Sequence, residues 1–269
     1  MTAPARLFLK RILAKAYRLR NQSGSRRIVL LYHSIGNSPF ALAAHKFREQ
    51  IAWLADNAEI LPLQKLLANV SHAPLQAAVT FDDGYASIHQ SGLSILSDTG
   101  VVAAAFLNTG WIGTSARKSS DSVLGHYPYE EFLLWREVED LAARGWEIGS
   151  HGVNHLDLTA EPDDIVTREL CESRARIDKA LSTCSPVFSY TWGRHTAHLR
   201  RVVENVGYTH AVAGLHRPVT IDADRMAIPR INITNDYTLD DFKAVARGDW
   251  DYLGWVQSVK ASVSALKLR

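Results

Sequence analysis

The chain has 269 residues, 46% of them hydrophobic and 22% charged, which supplies a sizeable core and argues against a disordered chain. With 16 Gly and 9 Pro it is not collagen-like, and no apolar run approaches the roughly 18 residues that a membrane-spanning helix needs. The net charge of +2 hides an asymmetry: residues 1–27 carry eight Lys and Arg and no acid, leaving −6 on residues 28–269, a body unsuited to binding nucleic acid by phosphate neutralisation.

Residues 1–27 read as a basic arm. Leu9, Ile12, Leu13, Ala16 and Tyr17 fall on one helical face with basic residues around the rest, a pattern suited either to docking on the body or, through residues 1–20, to an anionic membrane surface. Lys10, Arg11 and Lys15 interrupt the only apolar stretch and no clear cleavage site follows, so the segment does not read as a secretory signal; a cytoplasmic protein is the expectation, with a peripheral position at the inner face of the membrane as the alternative to a frayed or docked tail. Residues 28–269 read as a single domain. Its predicted strands are Ile28 to Tyr32, Ala77 to Phe81, Val101 to Leu107, Trp146 to Ser150, Pro186 to Tyr190, Thr209 to Ala213 and Ala227 to Ile233. Between the third and fourth, Leu134, Val138, Leu141 and Ala142 form a helical stripe, followed by Gly145 where a C-terminal cap belongs. Intervals of this length suit right-handed helical crossovers, so the expected fold is α/β, a distorted or incomplete (β/α) barrel of about seven parallel strands. No glycine cluster of dinucleotide or phosphate-loop spacing follows any strand.

A parallel barrel places its chemistry in the loops leaving the C-terminal ends of its strands. Those ends read Tyr32-His33, Asp82-Asp83, Asn108-Thr109, His151 to His155, Tyr190 to Gly193 and Asn232 to Asn235. Thr80-Phe81-Asp82-Asp83-Gly84 puts two mutually repelling acids at a strand end, and Gly84 lets the chain turn so that both reach one pocket. Taken alone, the same residues could form an ordinary turn. His151-Gly-Val-Asn-His155 offers two imidazoles able to converge on one ion; with one carboxylate they form a three-ligand divalent site, and the other carboxylate is left to act as base. Cys171 and Cys184 lie thirteen apart, a spacing that suits neither a disulfide framework nor a zinc site.

On Thr-Phe-Asp-Asp-Gly and Ser-His-Gly-Val-Asn-His the chain resembles the polysaccharide deacetylases of the NodB-homology, carbohydrate esterase family 4 type, over about residues 28–235. Leu30-Leu31-Tyr32-His33-Ser34 is similar to the branch acting on exopolysaccharides and surface glycans. The resemblance implies Asp82 as general base and Asp83, His151 and His155 as ligands of one divalent ion, zinc with cobalt or nickel as alternatives. It further implies hydrolysis of N-acetyl groups on a glycan or a lipid-linked glycan precursor. The family's oxyanion donor, a backbone N–H, matches Trp192. In Phe188-Ser189-Tyr190-Thr191-Trp192-Gly193, however, Thr191 stands for the family's proline and Ser189 for its base-orienting arginine. Arg230 is a candidate replacement for that arginine, with a structural ion pair as the alternative. No late Leu-x-His motif supplies the general acid, and His216 comes too early; His33, just past the first strand, is the first candidate. Trp111, Tyr127, Tyr129, Trp135 and Trp192 could stack on sugars or pack in the core. A glycan-binding protein without catalysis and an O-acetyl esterase are the competing functions.

Overall fold

Seven parallel strands curl into a sheet whose two ends are brought together by the segment that leads into its last strand. The computed structural model describes residues 3–18, 25–69, 71–113, 125–127, 130–183 and 186–267; Tyr129, Cys184 and the far end of the arm, Arg20 included, lie outside them. The strands are β1 (Arg26–Tyr32), β2 (Glu59–Ile60), β3 (Leu75–Phe81), β4 (Ala104–Leu107), β5 (Glu147–Ser150), β6 (Val187–Ser189), β7 (His210–Val212) and β8 (Ile231–Asn232). Their order is β7-β6-β5-β4-β3-β1-β8, with the two-residue β2 paired to β3 as well. This is the expected distorted barrel. The central β1 and β3 read as nearly unbroken apolar runs because both of their faces are covered.

The predicted strand Ala227 to Ile233 is divided in the structure. Ile228 bridges to Val212 of β7, whereas Ile231 and Asn232 pair with Leu30 and Leu31 of β1. Pro229 between them has no N–H to donate, so the chain changes partners there and spans the seam of the barrel. Arg230 sits at this change of partner, fully buried.

Helices fill the crossovers: α1 (Ala3–Arg18) precedes β1, and α2 (Ala44–Asn57), α3 (Leu63–Leu67), α4 (Leu93–Ser97), α5 (Trp135–Ala143), α6 (Asp163–Leu181), α7 (Ala197–Asn205), α8 (Leu239–Arg247) and α9 (Tyr252–Lys267) follow in turn. The stripe predicted around Leu134 is α5, with Val138 and Leu141 fully buried. Strand alternation sorts the core. Ile28, Leu30, Tyr32, Ala77, Val79 and Phe81 face a large cluster shared with α2, α5 and α8, while Val29, Ala78, Ala104, Phe106, Val187 and Val212 face the opposite way, into the barrel. Asp82 continues the parity of Ala78 and Thr80, so an inward position for its side chain follows from the pleat itself.

The arm is docked. Arg11 donates to both carboxylate oxygens of Asp241 on α8 at 2.8 and 2.6 Å, Tyr252 Oη donates to the Lys10 carbonyl at 2.9 Å, and Ala14 is buried. The docked face is therefore the one carrying Leu7, Lys10, Arg11 and Ala14. Leu9, Ile12 and Leu13 of the predicted apolar face are exposed instead.

Candidate active site

The strand ends that were expected to carry chemistry meet around a cavity of about 330 Å³, lined among others by His33, Asp82, Asp83, Tyr127, His151, His155 and Trp192. Its floor is an ion pair. Arg230 donates from Nη1 to Asp82 Oδ1 at 2.7 Å and from Nη2 to Oδ2 at 2.6 Å, a bidentate pair with both side chains buried. Ser189 completes it, donating from Oγ to the Asp82 carboxylate at 3.1 to 3.2 Å and accepting from Arg230 Nη2 at 2.8 Å. Burial opposes the charge on Asp82, but the Arg230 guanidinium and the nearby His151 outweigh it and hold the carboxyl well below the usual carboxylate range. Ser189 and Arg230, two departures from the family's sequence pattern, thus form one hydrogen-bonded unit with the predicted base.

Asp83 reaches the same cavity by a different route. Pleat alternation would turn it away from Asp82, but its φ of +72° swings it back, and Gly84 at φ +80° carries the chain onward. Only glycine fits at 84, where a Cβ would lie 2.9 Å from Ile112 Cδ1. Asp83 Oδ1 stands 3.5 Å from His151 Nε2 and 3.4 Å from His155 Nε2, and it is buried without a hydrogen-bond partner. The ligand atoms of Asp83, His151 and His155 all lie within 4.8 Å of one another, the one such group of three among the described residues. A buried carboxylate oxygen without a hydrogen-bond donor is costly as it stands. The donor set of one carboxylate and two imidazoles suits a divalent cation with an open position. Supporting contacts point the same way: His151 Nδ1 lies 2.8 Å from the Ser189 carbonyl, and donation there directs the Nε2 lone pair toward Asp83. Burial pushes His151 down to about 4, with Asp82 and Asp83 opposing the shift, so the imidazole is neutral at pH 7 as a ligand must be.

The loop bearing both histidines is pinned by Glu169 of α6. Its carboxylate accepts from the backbone N–H groups of Val153 and Asn154 at 2.7 and 3.0 Å and from Asn154 Nδ2 at 2.7 Å. Asn108 Nδ2 donates to the His151 carbonyl at 2.5 Å from the end of β4. Of the five non-glycine residues with positive φ among those described, Asp83, His155 and Trp192 border the cavity. Such conformations cost roughly 1–3 kcal/mol each, and Glu169, by holding Val153 and Asn154, fixes the loop that carries His155.

The departure at Thr191 is compensated. Its hydroxyl donates to the Leu156 carbonyl, and Arg194 pairs with Asp157 at 2.5 Å, tying the turn Thr191–Gly193 to the histidine loop. Trp192 at φ +59° sets its ring 5.0 Å from that of His155, and Gly193 approaches Gly214 so closely that a Cβ would meet its backbone at 2.5 Å. The turn keeps its place without proline.

His33 lines the cavity and its ring lies 5.6 Å from that of Tyr127. His216 does not line it, and its backbone N–H bonds Gln257 on α9. Among the aromatics, Tyr127 and Trp192 reach the cavity, whereas Trp111 packs against Phe132 and Trp135 against the core. Sequence reading named Asn108 as a strand-end residue but missed Glu169 and His126, whose buried ring lies 4.9 Å from His155. Glu169 could have been suspected as an acid on the buried stripe of α6, with Val166, Leu170 and Ile177 as neighbours. Beyond His33 and Tyr127 the cavity adjoins a hollow of about 260 Å³ bordered by Phe40, Asn235 and Asp236.

With the geometry in view, comparisons identify the lineage. The chain is 26% identical over 213 residues to YxkH of Bacillus subtilis (strain 168), spanning 77% of this chain and 71% of YxkH. It is 20% identical over 210 residues to the poly-beta-1,6-N-acetyl-D-glucosamine N-deacetylase of Staphylococcus epidermidis, spanning 73% of this chain and 69% of that protein. The fold is that of the Streptococcus pyogenes deacetylase PplD in complex with acetate, with a TM-score of 0.70 at 18% identity over 83% of this chain and 99% of PplD. The polysaccharide deacetylase family model matches residues 71–211, just over half of the sequence and the stretch that holds Asp82, Asp83, His151, His155 and Trp192; the chain belongs to the polysaccharide deacetylase family.

Proposed function

We propose that the protein is a metal-dependent hydrolase that removes N-acetyl groups from sugar residues of a glycan, releasing acetate and a free amine. The observation that carries this reading is the pairing of unlike carboxylates: Asp83, whose Oδ1 lacks a donor and faces two imidazoles, beside Asp82, ionised and braced by Arg230. The chemistry that a divalent ion, zinc with cobalt or nickel as alternatives, supplies when held by Asp83, His151 and His155 is Lewis acidity toward the acetyl carbonyl and a lowered pKa for water.

The chain's own residues do the rest. Asp82, kept charged by Arg230 and Ser189, accepts the proton of the attacking water. The turn Thr191–Gly193 offers the Trp192 N–H to the developing oxyanion. His33, which lines the same cavity, returns a proton to the leaving nitrogen in this reading. Tyr127 and the Trp192 ring give apolar faces for a sugar ring, and the hollow beside Phe40 gives a neighbouring residue of a chain somewhere to lie.

Acetate release from N-acetylglucosamine oligomers and from lipid-linked precursors, measured with and without added Zn²⁺ or Co²⁺, tests the reading. Metal-stimulated release accompanied by stoichiometric free amine is expected. Release without new amine would make the protein an O-acetyl esterase, and binding without any release would leave a glycan-binding protein.

A further inference from the structure

The structure brings the two acid-free ends of the chain together. Residues 1–27 and 252–269 contain eleven Lys and Arg and no Asp or Glu, so that residues 28–251 carry −9 against the overall +2. Tyr252 at the head of α9 bonds the Lys10 carbonyl of α1 at 2.9 Å, and its ring lies 6.0 Å from that of Tyr17. These contacts, with Arg11 clamped on Asp241, fix which side of α1 looks outward. That side carries Phe8 at 65% exposure, Ile12 at 49%, and Leu9 and Leu13, with exposed Lys15 beside them. On α9, Trp255 at 67% exposure and Val259 follow Tyr252 by three and seven residues, so they continue the face of α9 that meets α1. Scattered apolar side chains on a surface are ordinary; four exposed on one side of α1, with Trp255 and Val259 exposed on the helix that touches it, are a concentration.

We propose that the outward faces of α1 and α9 form one surface that binds peripherally to anionic lipid. Apolar side chains flanked by Lys and Arg are the composition that inserts to the depth of the headgroups and is held there by negative charge. A tryptophan at the edge suits the interface, where its ring is buried and its N–H stays wet. Self-association through this face would set the exposed Lys15 of one copy against that of the other, which the charge opposes. No helix among the described residues is long and apolar enough to cross a membrane, and the binding proposed is peripheral. Gln257, at the rim of the catalytic cavity, is two residues from Val259 and so on the opposite side of α9. Docking therefore leaves the mouth open alongside the bilayer rather than pressed into it. This surface was half visible in the sequence: the arm's pattern pointed to a membrane, but nothing there joined it to residues 252–269.

Co-sedimentation of the full chain with phosphatidylcholine vesicles, with and without about 30% phosphatidylglycerol, tests the proposal without any use of catalysis. Binding is expected only to the anionic vesicles and should fade with added salt. Phe8→Ser with Ile12→Ser should weaken it about tenfold or more, and Lys15→Glu by about fivefold or more. All three positions are exposed, so the fold should survive, and a circular dichroism melt checks that. Trp255→Ser must weaken binding too, because it separates the joint surface from the arm alone. Failure of the wild type to bind anionic vesicles, equal binding to neutral ones, or binding indifferent to Trp255 would overturn the proposal. So would a dimer that dissolves in the Phe8→Ser, Ile12→Ser variant.

Discussion

Asp82 and Asp83 are adjacent in the chain, equally buried and open to the same cavity, yet their surroundings are opposites. Asp82 is saturated: two guanidinium nitrogens and a serine hydroxyl occupy its oxygens. Asp83 keeps one oxygen without a donor and faces two imidazole nitrogens at 3.4 and 3.5 Å. A carboxylate that must be ionised when the water arrives needs fixed counter-charge, whereas one that must hold a cation needs a free lone pair. The contrast divides the labour between two chemically identical side chains, and it rests on one backbone angle, φ +72° at Asp83.

The largest expected effect comes from exchanging the charge at each position. Asp82→Asn and Asp83→Asn should each lower deacetylation by about 10² to 10⁴ in kcat, the scale of a lost general base or of a lost ion. Isothermal titration with Zn²⁺ separates them: Asp82→Asn should retain binding and Asp83→Asn should lose it. Equal zinc affinity in the two variants would erase the division of roles. Removing the counter-charge is the next test. Arg230→Met leaves Asp82 buried and unpaired, and denaturant unfolding should show a loss of roughly 3–5 kcal/mol. The double variant Arg230→Met, Asp82→Asn should recover much of that stability with no recovery of turnover. A single variant as stable as wild type would mean that Asp82 does not depend on Arg230 for its charge.

The pairing of Asp82 with the two-histidine loop was legible because parallel strands deliver their ends to one place, and Asp82, Asp83, His151 and His155 all follow strand ends. The inward parity of Asp82 was likewise readable from period-two alternation. Arg230 was only half legible. Its strand was recognisable, but that Pro229 would switch the chain from β7 to β1 at this point is decided by closure of the barrel, a long-range event with no local signature. Glu169 was half legible in the same way. Its place on the stripe with Val166, Leu170 and Ile177 marks an acid turned inward, but the loop it holds is brought to it only by the fold. Which face of α1 docks was not legible, because apolar periodicity ranks side chains by hydrophobicity, whereas the docking is decided by Arg11 meeting Asp241 and by a backbone carbonyl meeting Tyr252.

The contrast between the carboxylates also predicts how metal-free protein responds to pH. Burial holds His151 down to about 4 and, away from the cavity, His216 down to about 3, both from an ordinary 6.5. In the unfolded chain each takes up a proton near its ordinary value, so below pH 6.5 the unfolded state binds more protons than the folded one and stability falls as pH falls. The slope is roughly 1.4 kcal/mol per pH unit for each group, and it ends for each where the folded-state value is reached. Below that window protonation of Asp82, whose folded value is depressed, continues the loss in the same direction. Thermal melts of chelated protein between pH 7 and pH 4 measure this. A melting temperature flat across the window would mean that the imidazoles are already charged in the folded state, against the neutral ligands inferred for His151. Saturating Zn²⁺ at pH 7 should raise the melting temperature, because only the folded chain assembles the three donors.

The smallest effect concerns the turn that carries Trp192. Thr191 stands where the family uses proline, and its hydroxyl replaces a covalent constraint with a hydrogen bond to the Leu156 carbonyl. Thr191→Val keeps the shape and removes the bond, at a cost of about 1 kcal/mol in stability and, if the Trp192 N–H serves the oxyanion, a loss in kcat that exceeds any change in KM. Thr191→Pro imposes the constraint directly: Thr191 precedes Trp192 within a tight turn and follows Tyr190 at φ −68° and ψ 126°, an extended conformation that a following proline accepts. It should match or exceed wild-type stability while preserving turnover. A Thr191→Val enzyme with unchanged kcat would show that the turn is held by Gly193 against Gly214 and by Arg194 against Asp157 alone, and that the departure from proline has no bearing on the oxyanion.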